Sequence, residues 1–312
     1  MARSGHYEKV PDLSARLACV SSAWTPQSHL HVGNVQWAAA GGDGSPPPSL
    51  SLSWGHPMLG FADAWVEQGC ADVTLFVSPA ADPALLASAV QETAEIAAEV
   101  TVQAARQETA IVAALTDAGF VPASDLPWFA QLWRDLADLA DLGDHPVPPG
   151  YAVRPTRPDE IEKRAEVHRR CWAPARIKLL LGVPVTGDEA DSSYTVAKQT
   201  AVMASPLYRP ELDLVAEDSA GHLVAYGLGW LDISSESVLF EPVGTDPAHG
   251  GRGLARALCS EILCRAAALG AKQAVVGPRG DDAYPLPRRV YEGLGMREVA
   301  QVITFTHRKH RG

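Results

Sequence analysis

Between Val243 and Leu258 the sequence reads VGTDPAHGGRGLARAL, an apolar strand that breaks into a glycine-rich turn and opens directly into a helix. These residue types in this order suit the holding of an anion. Successive N–H groups at a helix N-terminus point outward, the helix dipole adds positive potential, and Gly250, Gly251 and Gly253 let a ligand approach the main chain. Arg252 adds a cation, and the chemistry implied is the binding of a phosphate or pyrophosphate. Two common phosphate loops fail on spacing. A Walker loop needs Lys followed by Ser or Thr at the helix start, where this chain has Leu254 and Ala255. A dinucleotide fingerprint begun at Gly251 has its third glycine position filled by Arg256.

The elements around the turn carry the rest. Downstream comes a helix with Leu254, Leu258 and Ile262 on one face. A strand-like segment follows at Ala271–Gly277, then RRVYEGLGM (Arg288–Met296), then the strand-like EVAQVITFTH. Upstream, Tyr151–Arg154 reads as a strand, about Asp159–Trp172 as a helix, and a loop with Pro174, Gly182 and Pro184 leads to a helix from about Asp188 to Met203. A hairpin-like pair turning at Ser219–Gly221 and the strand SVLFEPVGT complete the series.

This order resembles the GNAT superfamily of acyl-CoA N-acyltransferases. Their pyrophosphate loop reads Arg or Gln, two residues, Gly, one residue, then Gly or Ala. Gly253 and Ala255 match, while Gly250 stands at the first position and leaves the backbone to form the cradle. The superfamily's second signature, a Tyr four residues before a Gly and a large apolar residue, is matched by Tyr291, Gly295 and Met296. The resemblance covers about Tyr151–His310. It implies an α/β (α+β) fold of a mixed, mostly antiparallel sheet flanked by helices, with a splayed central strand pair.

It also implies a site. Val243, Gly244 and Thr245 would position an acyl-pantetheine, and Gly250, Gly251, Arg252, Gly253, Leu254 and Ala255 would hold the pyrophosphate of acetyl-CoA or another short acyl-CoA. Tyr291 would protonate the departing sulfur. Glu241, on the strand leading into the loop, is the candidate base, with a structural carboxylate as the competing reading. Strand alternation places Phe240, Pro242 and Gly244 on one face and Glu241 and Val243 on the other. Trp172, Trp230 and Tyr226 would line the acceptor site or pack in the core. Tyr284 stands where the superfamily often has Asn. Asp246 reads as a turn or cap residue, and His249 and the tail HRKHRG as solvated groups or phosphate contacts.

A fainter copy of the plan precedes this module. ADVTLFVSP is strand-like, the helix from Pro83 has Asp82 as its N-cap, EVTVQAA is strand-like, and TAIVAALTDAGF parallels RRVYEGLGM with Leu115 in register with Tyr291. Its connection SPAAD holds no glycine. The expected division is residues 1–140 as a degenerate, structural GNAT-like domain, 141–150 as a linker containing Pro146, Pro148, Pro149 and Gly150, and 151–312 as the catalytic domain.

Composition agrees with a two-module enzyme. The chain has 312 residues, 46% of them hydrophobic, enough for two cores. The formal charge of -11 argues against nucleic acid. MARSGHYEKV lacks the apolar run of a signal peptide and no apolar stretch is long enough to span a bilayer, so a cytoplasmic location without membrane contact is expected. Five cysteines scattered singly, and histidines without partners at ligand spacing, predict neither disulfides nor metal. Oligomeric state is left open. The implied reaction is acetyl transfer to the amine of a small molecule, a metabolite or antibiotic, by direct attack on the thioester. A protein N-acetyltransferase is the enzymatic alternative, and a non-catalytic acyl-CoA-binding regulator the alternative of another class.

Overall fold

The computed structural model describes residues 5–8, 12–42, 46–140, 142, 145–173, 178 and 192–309. The strands are β1 (His6–Glu8), β2 (Leu50–Trp54), β3 (Gly60–Glu67), β4 (Cys70–Val77), β5 (Glu99–Ala105), β6 (Val121–Pro122), β7 (Phe129–Asp135), β8 (Tyr151–Pro155), β9 (Asp213–Asp218), β10 (Leu223–Asp232), β11 (Ser237–Thr245), β12 (Gln273–Val276) and β13 (Arg297–Arg308). The helices are α1 (Leu13–Ala23), α2 (Val32–Ala39), α3 (Pro83–Ala94), α4 (Thr109–Asp117), α5 (Ile161–Cys171), α6 (Val196–Met203), α7 (Leu254–Ala268) and α8 (Leu286–Glu292). The proposed loop around Pro174, Gly182 and Pro184 and the helix start near Asp188 lie outside the described residues, as do the last three residues of the tail.

The chain forms two compact units. Unit 1 comprises Met1–Val35, Pro46–Gln131 and Glu298–Gly312, and unit 2 comprises Gln36–Ser45 and Leu132–Arg297. The division differs from the expected one in three ways: it falls after Gln131, the segment Gln36–Ser45 goes to unit 2, and the chain's last strand goes to unit 1. In unit 1 the order is β1-β2-β3-β4-β5-β13, antiparallel throughout except for the parallel pair β4–β5. Unit 2 repeats it as β8-β9-β10-β11-β12-β7, with β11–β12 the parallel pair. The sixth place of unit 1 is thus taken by a strand remote in sequence from the other five, and that of unit 2 by the strand that precedes β8.

Each parallel pair splays. In unit 2 the pairing runs from Ser237↔Gln273 to Leu239↔Val275 and stops, while β11 continues to Thr245. In unit 1 it stops at Val73↔Val102, while β4 continues to Val77. Beyond those points β11 and β4 keep a partner on one side only.

The strand β10, LVAYGLGWLD, is buried along its whole length because helices cover both faces. Gly227 and Gly229 make room for α7: a Cβ on them would lie 3.0 Å and 2.9 Å from Ile262. The α7 face that meets them carries Leu254, Leu258 and Ile262, as its periodicity predicts. Unit 1 closes over a core of Trp54, Leu75, Val90, Leu115, Phe120 and Phe305 among others.

Candidate active site

The glycine turn begins where β11 ends. Asp246 caps a short 3-10 turn (Pro247–His249) by accepting from Ala248 N at 3.0 Å, and its other oxygen pairs with Arg170 Nε at 2.8 Å. Gly251 and Gly253 both take left-handed φ, +72° and +85°, with nothing near where a Cβ would stand. Gly253 is the N-cap of α7. Among the described residues, no backbone N–H from Gly251 to Arg256 donates to an acceptor, the first of the turn of bonds being Ala257 N to Gly253 O at 3.0 Å. That is an uncapped helix start with its amides turned outward and two arginines beside it, a combination the helix dipole disfavours unless an anion is bound.

Arg252 lies over the Tyr151 ring and donates to the Tyr151 hydroxyl at 2.6 Å, and His249 Nδ1 meets the same hydroxyl at 2.9 Å. His249 is therefore fixed beside the loop and is not a loose surface group. Thr245 Oγ1, at the mouth of the splay, is buried without a hydrogen-bond partner. Free amides, open glycine positions and an orphaned hydroxyl fit the phosphates and amide groups of a CoA.

Tyr291 is buried and stacks on Phe240 with ring centroids 6.1 Å apart. Its helix ends in the geometry the motif implies: Gly295 has φ +76° and Met296 N donates to Tyr291 O at 3.2 Å. Burial first, then the proximity of Cys259 and of the Glu241 carboxylate, holds the Tyr291 phenol well above its ordinary range. The two residues singled out for catalysis thus sense each other electrostatically. Glu241 is half-buried, and its backbone carbonyl accepts the Trp230 indole N–H at 2.7 Å.

The facing of β11 departs from simple alternation. Phe240 opposes Gly229 and Val243 opposes Gly227, so β11 carries an extra residue against β10. This bulge puts Phe240 and Val243 on the same face, toward α7, and turns Gly244 to the other. A Cβ on Gly244 would lie 2.8 Å from Cys171 Cβ and 2.9 Å from Tyr226 Cε1. The placing of Phe240 with Gly244 is corrected accordingly.

On the Gly244 face lies a polar cluster that sequence reading did not assemble. Trp172 Nε1 donates to Tyr226 Oη at 2.6 Å, and Tyr226 Oη meets His168 Nδ1 at 2.9 Å. The Tyr226 oxygen accepts from the indole and shares a further hydrogen bond with His168, whose ring is neutral. Burial and then the Arg164 cation hold His168 down to about 3, which removes it as a base at neutral pH. Arg164 lies over the Tyr226 ring and pairs with buried Asp213 at 2.9 Å, which also accepts from Tyr208 at 3.1 Å. Tyr226 and Trp230 are core residues, while Trp172 is partly exposed. No local signal announces this cluster, because its members come from α5, β9 and β10 and meet only through the fold. Among the described residues no group of His, Cys, Asp and Glu is placed to hold a metal, and no helix is long and apolar enough to cross a membrane.

A strand pair that splays, free amides at the following helix start and a buried tyrosine are the features that the resemblance to the GNAT superfamily implies. No family model matches the chain. A curated relative, the mycothiol acetyltransferase of Clavibacter michiganensis subsp. michiganensis (strain NCPPB 382), is 25% identical over 238 residues, 67% of this chain and 72% of that protein. Among solved structures, the tandem GNAT protein from the clavulanic acid biosynthesis pathway aligns over 97% of this chain and 98% of its own, with TM-score 0.62 and 16% identity. A GNAT-family acetyltransferase from Colwellia psychrerythraea aligns over 97% and 100%, with TM-score 0.57 and 11% identity. The GCN5-related N-acetyltransferase from Sphaerobacter thermophilus gives 96% and 97%, TM-score 0.53 and 18% identity. The chain thus has the fold of the GNAT N-acetyltransferases, in the tandem arrangement.

Proposed function

We propose that the chain transfers an acetyl group from acetyl-CoA to the amine of a small molecule, by direct attack, with unit 2 catalytic and unit 1 structural. The observation that carries this reading is the run of unsatisfied N–H groups from Gly251 to Arg256, placed at the end of the splayed strand β11. Acetyl-CoA supplies the activated acyl group as a thioester. Gly250 to Ala255 hold its pyrophosphate, with Arg252 adding charge. Val243, Gly244 and Thr245 position its pantetheine arm along the free edge of β11.

Glu241 takes the proton that the ammonium group must lose before nitrogen attacks. Tyr291 stays protonated at neutral pH and offers its hydroxyl to the sulfur. A phenol held well above 10 is a reluctant donor to a thiolate in water. Burial of the departing sulfur would raise the thiolate's basicity in the same direction. The name of the curated relative, which couples acetyl transfer with mycothiol, supports a small-molecule acceptor over a protein.

The reading is tested by following CoA release with a panel of small amines, using Tyr291→Phe as the control. Turnover should fall by roughly 100-fold in the variant, the scale of a lost general acid, with acetyl-CoA affinity unchanged. Equal turnover in the two proteins removes Tyr291 from the proton path, and absence of release with every amine removes the proposed reaction.

A further inference from the structure

Unit 1 has the same splayed fork as unit 2, but it is filled. His29 places Nδ1 2.7 Å from Glu108 Oε2 and Nε2 3.0 Å from the carbonyl oxygen of Leu75, with its side chain only 6% exposed. Leu75 stands two residues beyond the last β4–β5 pair, the place Glu241 occupies beyond the last β11–β12 pair. Glu108 in turn accepts from Ala105 N, at the end of β5, at 2.8 Å. The imidazole and carboxylate together therefore tie the ends of the two strands across the gap. Both ring nitrogens face acceptors only, so the ring carries both protons and the tie is an ion pair.

In unit 1 three amides of the corresponding turn are engaged from within. Ser78 accepts from Ala80 N through its hydroxyl at 3.2 Å and from Ala81 N through its carbonyl at 2.9 Å. The Asp82 carboxylate accepts from Ala84 N at 2.7 Å, and Pro79 and Pro83 have no N–H to give. A fixed negative charge thus stands where a pyrophosphate would lie. Leu115, fully buried, takes the place of Tyr291, although the helix end is the same: Gly119 has φ +87° and Phe120 N donates to Leu115 O at 2.9 Å.

We propose that unit 1 is closed to acyl-CoA by its own side chains, with the His29–Glu108 pair in the fork and Ser78 and Asp82 in the cradle, so that the chain takes one cofactor. The assignment of that cofactor to unit 2 rests on the function proposed above; the closure of unit 1 does not.

The experiment is residue-resolved hydrogen exchange on the full chain, with and without saturating acetyl-CoA, in the wild type, His29→Leu and Glu108→Gln. In the wild type acetyl-CoA should leave Leu75–Leu86 unchanged. In His29→Leu the Ala105 amide should exchange about tenfold faster, because its acceptor loses the partner that fixes it. Should His29→Leu fail to fold, Glu108→Gln retains an oxygen for Ala105 and should move the His29 ring titration to lower pH. Protection of Leu75–Leu86 by acetyl-CoA in the wild type overturns the closure, as does unchanged Ala105 exchange in His29→Leu or an unmoved His29 titration in Glu108→Gln. Absence of protection at Gly251–Arg256, with Leu75–Leu86 also unaffected, contradicts the unit 2 site while supporting the closure.

Discussion

Gly244 shows how tightly single residues are constrained around the site. A Cβ on it would run into Cys171 and the Tyr226 ring, and the Tyr226 hydroxyl is already engaged by Trp172 and His168. Gly244→Ala should therefore cost about 1–3 kcal/mol, the range for an extra methyl in a packed interior, seen as a lowered thermal midpoint. A midpoint unchanged from the wild type would mean that this contact is loose. At this scale the sequence was informative where the backbone conformation belongs to the residue itself. Gly251, Gly253 and Gly295 were singled out in motifs and all three take left-handed φ. Asp82 and Asp246 were read as cap or turn residues, and both cap. What stayed hidden depended on distant partners: His29 and Glu108 are 79 residues apart, and Arg164 and Asp213 are 49 apart.

Among the elements, β4, β5 and β8 to β13 were legible from apolar runs bounded by turn residues, whereas β1 to β3, β6 and β7 were not, and neither was the facing of β11. The alternation that put Phe240 with Gly244 fails at a bulge at Glu241–Pro242, where the proline, with no N–H to give the ladder, was the local signal left unused. The two forks, alike in pairing, differ in what fills them, and that difference has a pH signature. The His29 pKa is raised despite the opposing effect of burial, because Glu108 charges the site and accepts its proton. Glu108 is lowered by the same partner and by the Ala105 and His29 amides, again against burial. The His29 contribution to stability is then complete below its unfolded value near 6.5 and is lost as pH rises through its higher folded value. The Glu108 contribution is complete above about 4.5 and is lost as pH falls through its lower folded value. Unit 1 should be most stable between those limits, and His29→Leu should flatten the alkaline limb of a chemical-denaturation profile taken against pH. An alkaline limb of unchanged slope in the variant would contradict the ion pair.

For the whole molecule, the unexpected feature is the membership of the last strand. Read along the chain, β13 follows the YEGLGM helix and belongs with the module before it. In the structure it pairs with β5 from Val302↔Ala105 to Arg308↔Glu99 and gives Ile303 and Phe305 to the unit 1 core. Nothing in the strand's own composition encodes which sheet receives it. A fragment of residues 1–140 lacks that strand and both side chains, and each large buried group removed costs about 2–5 kcal/mol against a total of about 5–15. Such a fragment should show no cooperative thermal transition and poor dispersion of its amide spectrum, whereas a dispersed spectrum would show that β13 is dispensable to unit 1.

The most direct test of the central claim is calorimetric titration of the full chain with acetyl-CoA, beside a Gly253→Glu variant that sets bulk and negative charge against the free amides of the turn. The account predicts one site per chain in the wild type and none in the variant. A site that survives Gly253→Glu would place the cofactor elsewhere and contradict it.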